Sequence, residues 1–105
     1  MKRVILESPY SGDVNRNIGY ARRAVRDSLG RGEAPIASHL LYTQSGILRD
    51  SDVDERQWGI DAGLAWGLVS HATVVYEDHG ITEGMLYGIR QAEQIGKPVE
   101  YRKIL

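Results

Sequence analysis

The run Ala72-Thr73-Val74-Val75-Tyr76 constrains the fold of this chain more than any other stretch. It is β-branched and continuous, so it reads as a strand buried on both faces, the pattern of a parallel sheet covered by helices. Val4–Leu6, ending at Ser8-Pro9, is a second short apolar run of this kind. Ala34–Ala37 is a weaker strand, and Val99–Ile104 supplies the last. Segments of helical period lie between them. Asp13 is placed to cap a helix in which Ile18, Ala21, Val25 and Ser28 or Leu29 recur until Gly30. Asp52, with Glu55 three residues on, opens a second helix that carries Val53, Arg56, Ile60, Leu64 and Leu68 on one face. Thr82 caps a third, striped by Met85, Ile89 and Ala92 and closed by Gly96 ahead of Pro98. The order β-α-β-α-β-α-β predicts one small α/β domain over residues 1–105, a doubly wound parallel sheet of four strands in the order 2-1-3-4 with three helices.

The bulk properties exclude several classes. A chain of 105 residues fits a single core, and a net charge of −1 gives no phosphate-neutralising surface, so no nucleic-acid polymer is expected as a partner. Arg16, Arg22, Arg23, Arg26 and Arg31 fall at helix-surface spacing and read as a solvated face or as an anion-binding patch. The absence of cysteine removes disulfides and thiolate zinc sites. His39, His71, His79 and the scattered acids lack ligand spacing, so neither a metal nor a cofactor is expected. The start, MKRVILESPY, has too few apolar residues for a signal peptide, and nothing approaches the ~20 apolar residues of a membrane span. The expectation is a cytoplasmic protein with no membrane partner. Trp58 and Trp66 lie two turns apart on the second helix. They read as core filling or as a subunit interface, and a homo-oligomer, dimer or higher, is expected.

In sheets of this class ligands bind beyond the carboxyl ends of the strands, which gathers Ser8–Asp13, Ser38–Asp50 and Glu77–Glu83 on one edge. Ser8, Pro9, Tyr10, Ser11 and Gly12 lead into a helix N-terminus whose free N–H groups and dipole suit a phosphate or sugar hydroxyl. Tyr10 is suited to stack on a base, although a plain tight turn uses the same residue types. In the stretch from Asp78 to Met85, Gly80 and Gly84 permit close approach and Asp78 is placed to accept hydrogen bonds from ribose hydroxyls. Thr82 and Glu83 read as ligand contacts or simply as a cap and a first-turn acid. His39 is expected to face a base, whereas His71 stands at the opposite edge of the sheet and reads as structural.

Ser8-Pro9-Tyr10-Ser11-Gly12, Ser38-His39-Leu40-Leu41-Tyr42, Asp78-His79-Gly80-Ile81-Thr82-Glu83-Gly84-Met85 and Gly96-Lys97-Pro98-Val99 carry a family resemblance. With Gly88, Ile89 and Ala92 between the last two, the chain resembles the nucleoside 2-deoxyribosyltransferase superfamily and its small phage and bacterial relatives over nearly its whole length. The resemblance implies a flavodoxin- or Rossmann-like sheet. It also implies a nucleoside or nucleotide ligand contacted by the Ser8–Gly12 loop, His39, Asp78, Gly80, Thr82, Glu83, Gly84 and Met85. In that family a glutamate of the third helix attacks the anomeric carbon, four residues before a small alanine. Counting back from Ala92 gives Gly88, which has no side chain. The missing nucleophile favours a non-catalytic nucleotide-binding protein, and a phage relative of this kind would sequester a nucleotide-derived defence signal. The alternative is an enzyme cleaving or transferring at the N-glycosidic bond of a (deoxy)nucleoside or its 5′-phosphate. Glu83 or Asp78 would then supply the carboxylate, with Tyr10 orienting it. A third reading is an assembly protein with a vestigial pocket.

Overall fold

The computed structural model describes residues 1–105. Its elements are β1 (Lys2–Glu7), α1 (Val14–Gly30), β2 (Glu33–Ile36), α2 (Ser38–Leu41), α3 (Val53–Val69), β3 (Ala72–Tyr76), α4 (Glu83–Gln94) and β4 (Val99–Arg102). The strands are all parallel and lie in the predicted order, β2-β1-β3-β4. Every residue of β3 is buried. Successive side chains of a strand point to opposite faces, so β3 serves two layers. Ala72, Val74 and Tyr76 pack with Val4, Leu6, Tyr20 and Ala24 under α1. Val75 packs with Met85 and Ile89 of α4 on the other face.

The helix starts follow the expected chemistry. Asp13 accepts a hydrogen bond from the Arg16 N–H at 3.2 Å. Asp52 Oδ1 accepts from the N–H groups of Asp54 and Glu55, each at 3.0 Å. Thr82 Oγ1 accepts from the Met85 N–H at 3.3 Å, and the Thr82 N–H donates to the Met85 sulfur at 3.4 Å. The half of a capping box expected of Glu55 is absent, because its carboxylate accepts from Arg49 N–H and Nε–H instead.

Four further differences from the sequence expectation are found. There are four helices and not three, because α2 closes a single turn inside the segment expected to be loop. The Ala37 carbonyl accepts from Leu40 and Leu41, and a helix of four residues is too short to leave a periodic signal. Strand β2 begins at Glu33, a buried acid, because Arg102 and Ser28 satisfy its carboxylate at 2.6–2.8 Å. The reversal after α1 is made at Gly32, whose φ of +81° suits glycine, and not at Gly30. Finally, α3 buries none of its residues. Val53 and Leu68, placed on its expected core face, are 82% and 64% exposed. No helix is long and apolar enough to cross a membrane.

Candidate functional site

Ile5 and Glu7 of β1 and Thr73 of β3 share the sheet face on which α4 packs, since residues two apart in a strand point the same way. Helices α3 and α4 leave this strip uncovered and wall a cleft of about 890 Å³ above it. That volume is within the range of small-molecule sites. Ser8, Tyr10 and Ser11 form one part of its rim at the carboxyl end of β1, with His39 of α2 beside them. The N-terminus of α4, from Thr82 to Met85, forms the facing part. Two loops separated by more than seventy residues of sequence thus meet at one mouth.

Glu7 is the electrostatic centre of this cleft. It pairs in register with Val75 at the centre of the sheet, and its side chain rises against Gly88 of α4. A methyl group on Gly88 would overlap Glu7 Oε2 outright and would sit 2.7 Å from its carboxyl carbon. The bare backbone at Gly88 is therefore what lets the carboxyl fit between strand and helix. No cation or hydrogen-bond donor in the chain touches that carboxyl, and burial pushes its pKa up to about 8. Beside it, Ser8 Oγ and His39 Nε2 share a hydrogen bond of 2.6 Å. Burial holds the His39 imidazole neutral, with its pKa drawn down to about 4. The cleft so holds an uncharged acid and an uncharged base at neutral pH, a combination that structural ion-pair networks do not produce.

The first loop is braced from below by Asn17, which is 1% exposed. Its Nδ2 donates to the carbonyls of Tyr10 and Ser11 at 2.9 and 3.0 Å. Of the residues singled out from sequence, Ser8, Tyr10, Ser11, His39, Thr82, Glu83, Gly84 and Met85 line the cleft. Met85 does so from within the core, being 1% exposed. Pro9 and Gly12 belong to the same loop but do not line the cleft, and neither does Gly80, whose φ of +83° makes the turn ahead of α4. Asp78 stands apart from it too. Its carboxylate is taken up by the Tyr20 hydroxyl at 2.5 Å and by the N–H groups of Ile104 and Leu105 at 2.9 Å each. Burial alone would raise its pKa, but these donors outweigh it and hold the group down at about 2. Asp78 ties the C-terminal segment to α1. Glu83 is exposed at the first position of α4.

Sequence reasoning passed over Glu7. Two signals point to it: an acid follows the apolar run Val4–Leu6 directly before the first loop, and the helix position expected to bear a carboxylate is a glycine. Only the packing of α4 on β1 joins them.

The family model described as a domain of unknown function (DUF7768) matches residues 2–102. A solved structure of a 2-deoxyribosyltransferase from the psychrotolerant bacterium Bacillus psychrosaccharolyticus is similar over 96% of this chain and 72% of its own length. The TM-score is 0.67 at 16% sequence identity, so the likeness is one of fold: a 2-deoxyribosyltransferase-like, Rossmann-like sheet. No curated protein matches the sequence.

Proposed function

We propose, for a chain that belongs to the DUF7768 family and has a 2-deoxyribosyltransferase-like fold, that the cleft takes a nucleoside or nucleotide and acts on its N-glycosidic bond. The observation that carries this reading is the unpaired carboxyl of Glu7 on the cleft floor. A half-buried carboxyl without a partner, desolvated by the strand and helix around it, costs stability, and groups of that kind concentrate where chemistry is done. The sugar would lie over Ile5, Glu7 and Thr73. A phosphate would meet the free N–H groups of Glu83 and Gly84 at the start of α4, and the base would lie toward Tyr10 and His39. Incubating the protein with the common ribo- and 2′-deoxyribonucleosides and their 5′-monophosphates, then separating the products, tests the reading. Release of free base supports it, and ligand recovered unchanged in every case refutes it.

A second reading, retention of a nucleotide without turnover, is favoured by Gly88, which leaves α4 without a carboxylate of its own. A phage protein that sequesters a nucleotide-derived defence signal would be of this type. It predicts tight binding together with the unchanged ligand. Both readings include self-association. Trp58 and Leu68 of α3 are 62% and 64% exposed, apolar area that a second copy of the chain would cover.

A further inference from the structure

From the packing of Glu7 against Gly88 we infer that Glu7 is the proton donor to the departing base in a hydrolysis of the N-glycosidic bond, acting from the end of β1 in space that α4 leaves open. The inference rests on the reading of the cleft as a nucleoside or nucleotide site and specifies the reaction there.

Three observations carry it. The carboxyl is wedged between β1 and a glycine of α4, where any side chain at position 88 would displace it. It faces the cleft from the floor, alongside Ile5 and Thr73, where a sugar and its glycosidic nitrogen would come to rest. No hydrogen bond or ion pair within the chain engages it. The charged groups and the imidazole that share the cleft are His39 from α2, Asp50 from the loop after it, Arg56 and Asp61 from α3, Glu83 from α4 and Lys97 ahead of β4. The phenols of Tyr10, Tyr42 and Tyr87 line it as well. Arg56 is directed instead to Asp50, 3.9 Å away. With no cation against it and its hydration reduced between β1 and α4, the Glu7 carboxyl stays protonated at neutral pH. A protonated carboxyl is a poor nucleophile and a good general acid.

The step balances with water as the co-reactant. The C1′–N bond breaks, and its electron pair stays with the base. The Glu7 carboxyl proton goes to the base nitrogen. Water forms the new C1′–O bond and gives its surplus proton to solvent, from which Glu7 is reprotonated. The products are a free base and a free sugar or sugar phosphate.

A cationic base tests the role, because it departs without needing a proton. Wild-type protein, Glu7→Gln and Gly88→Ala are each assayed for base release from guanosine and from 7-methylguanosine, with and without the 5′-phosphate, and for ligand binding by equilibrium dialysis. Glu7→Gln is expected to slow release of guanine at least 100-fold and of 7-methylguanine less than tenfold, with binding held within threefold. Gly88→Ala, which pushes the carboxyl aside without removing it, is expected to show the same selective loss. Wild-type release of guanine is expected to decline as pH rises through about 8, the range in which the carboxyl ionises. Equal losses on the two substrates would overturn the donor role, because a nucleophile is needed for both. Full activity in Glu7→Gln would overturn it as well. Binding with no base released from any substrate would overturn this inference and leave the cleft a binding site, whereas no binding at all would remove the reading on which it rests.

Discussion

Replacing Glu7 by Gln is expected to stabilise the folded chain at neutral pH, and by an amount that depends on pH. Burial places the folded-state pKa of Glu7 at about 8 against an ordinary 4.5. Below the ordinary value both the folded and the unfolded chain carry the proton, and the group contributes nothing. Between 4.5 and 8 the unfolded chain ionises while the folded one does not, so the wild-type fold loses stability as pH rises. Each pH unit in that window is worth about 1.4 kcal/mol, which sums to roughly 3 kcal/mol at pH 7. Water in the cleft screens part of this, leaving on the order of 1.5–3 kcal/mol. Glutamine has nearly the same shape and no charge to desolvate, so it escapes the loss.

Urea titrations followed by the fluorescence of Trp58 and Trp66 at intervals from pH 4 to pH 8 measure the difference directly. The two proteins should be nearly equal in stability at pH 4 and diverge steadily above pH 5, with Gln the more stable and the denaturant slope unchanged. The neutral His39 acts in the opposite sense in both proteins. Its pKa falls from 6.5 to about 4 on burial, so it removes stability as pH drops through that range and cancels in the difference. A difference that stays constant from pH 5 to pH 8, or a Gln variant less stable at pH 7, would mean that Glu7 is ionised and paired in solution. The account of the site would then fail.

Arg102→Met should cost about 3–5 kcal/mol at neutral pH, because it leaves the Glu33 carboxylate buried without its partner. The hydrogen bonds from Arg102 hold Glu33 at about 2, below its ordinary 4.5, so wild-type stability is complete above 4.5 and declines as pH falls toward 2; an acid titration should show that decline weakened or lost in the variant. Asn17→Ala removes both donors from the Tyr10 and Ser11 carbonyls and should cost about 1–3 kcal/mol, with faster amide exchange across residues 8–12. Light scattering should give a mass at least twice 11.7 kDa, and Trp58→Glu should reduce it toward the monomer; a wild-type monomer at micromolar concentration would refute self-association.

The period and residue choice along the chain determined the four strands, the three long helices, the caps at Asp13, Asp52 and Thr82, and the parallel order of the sheet. These are local or pairwise properties: the buried strand Ala72–Tyr76 admits few partners, and short crossovers admit few orders. The same logic drew the loops at Ser8–Ser11 and Thr82–Met85 to one edge, where the cleft opens. Asp78 was legible as an acid of a glycine-rich turn in its chemistry and not in its partners, since Tyr20, Ile104 and Leu105 claim its oxygens from distant parts of the chain. Strand β2 begins at a charged residue because Arg102, at the other end of the sequence, neutralises it. Glu7 and Gly88 are eighty-one positions apart, and neither is unusual alone. Tertiary packing made them complementary: α4 could lie close over β1 only where it had no side chain, and in that gap an ordinary strand-end acid became a half-buried, uncharged carboxyl facing the cleft.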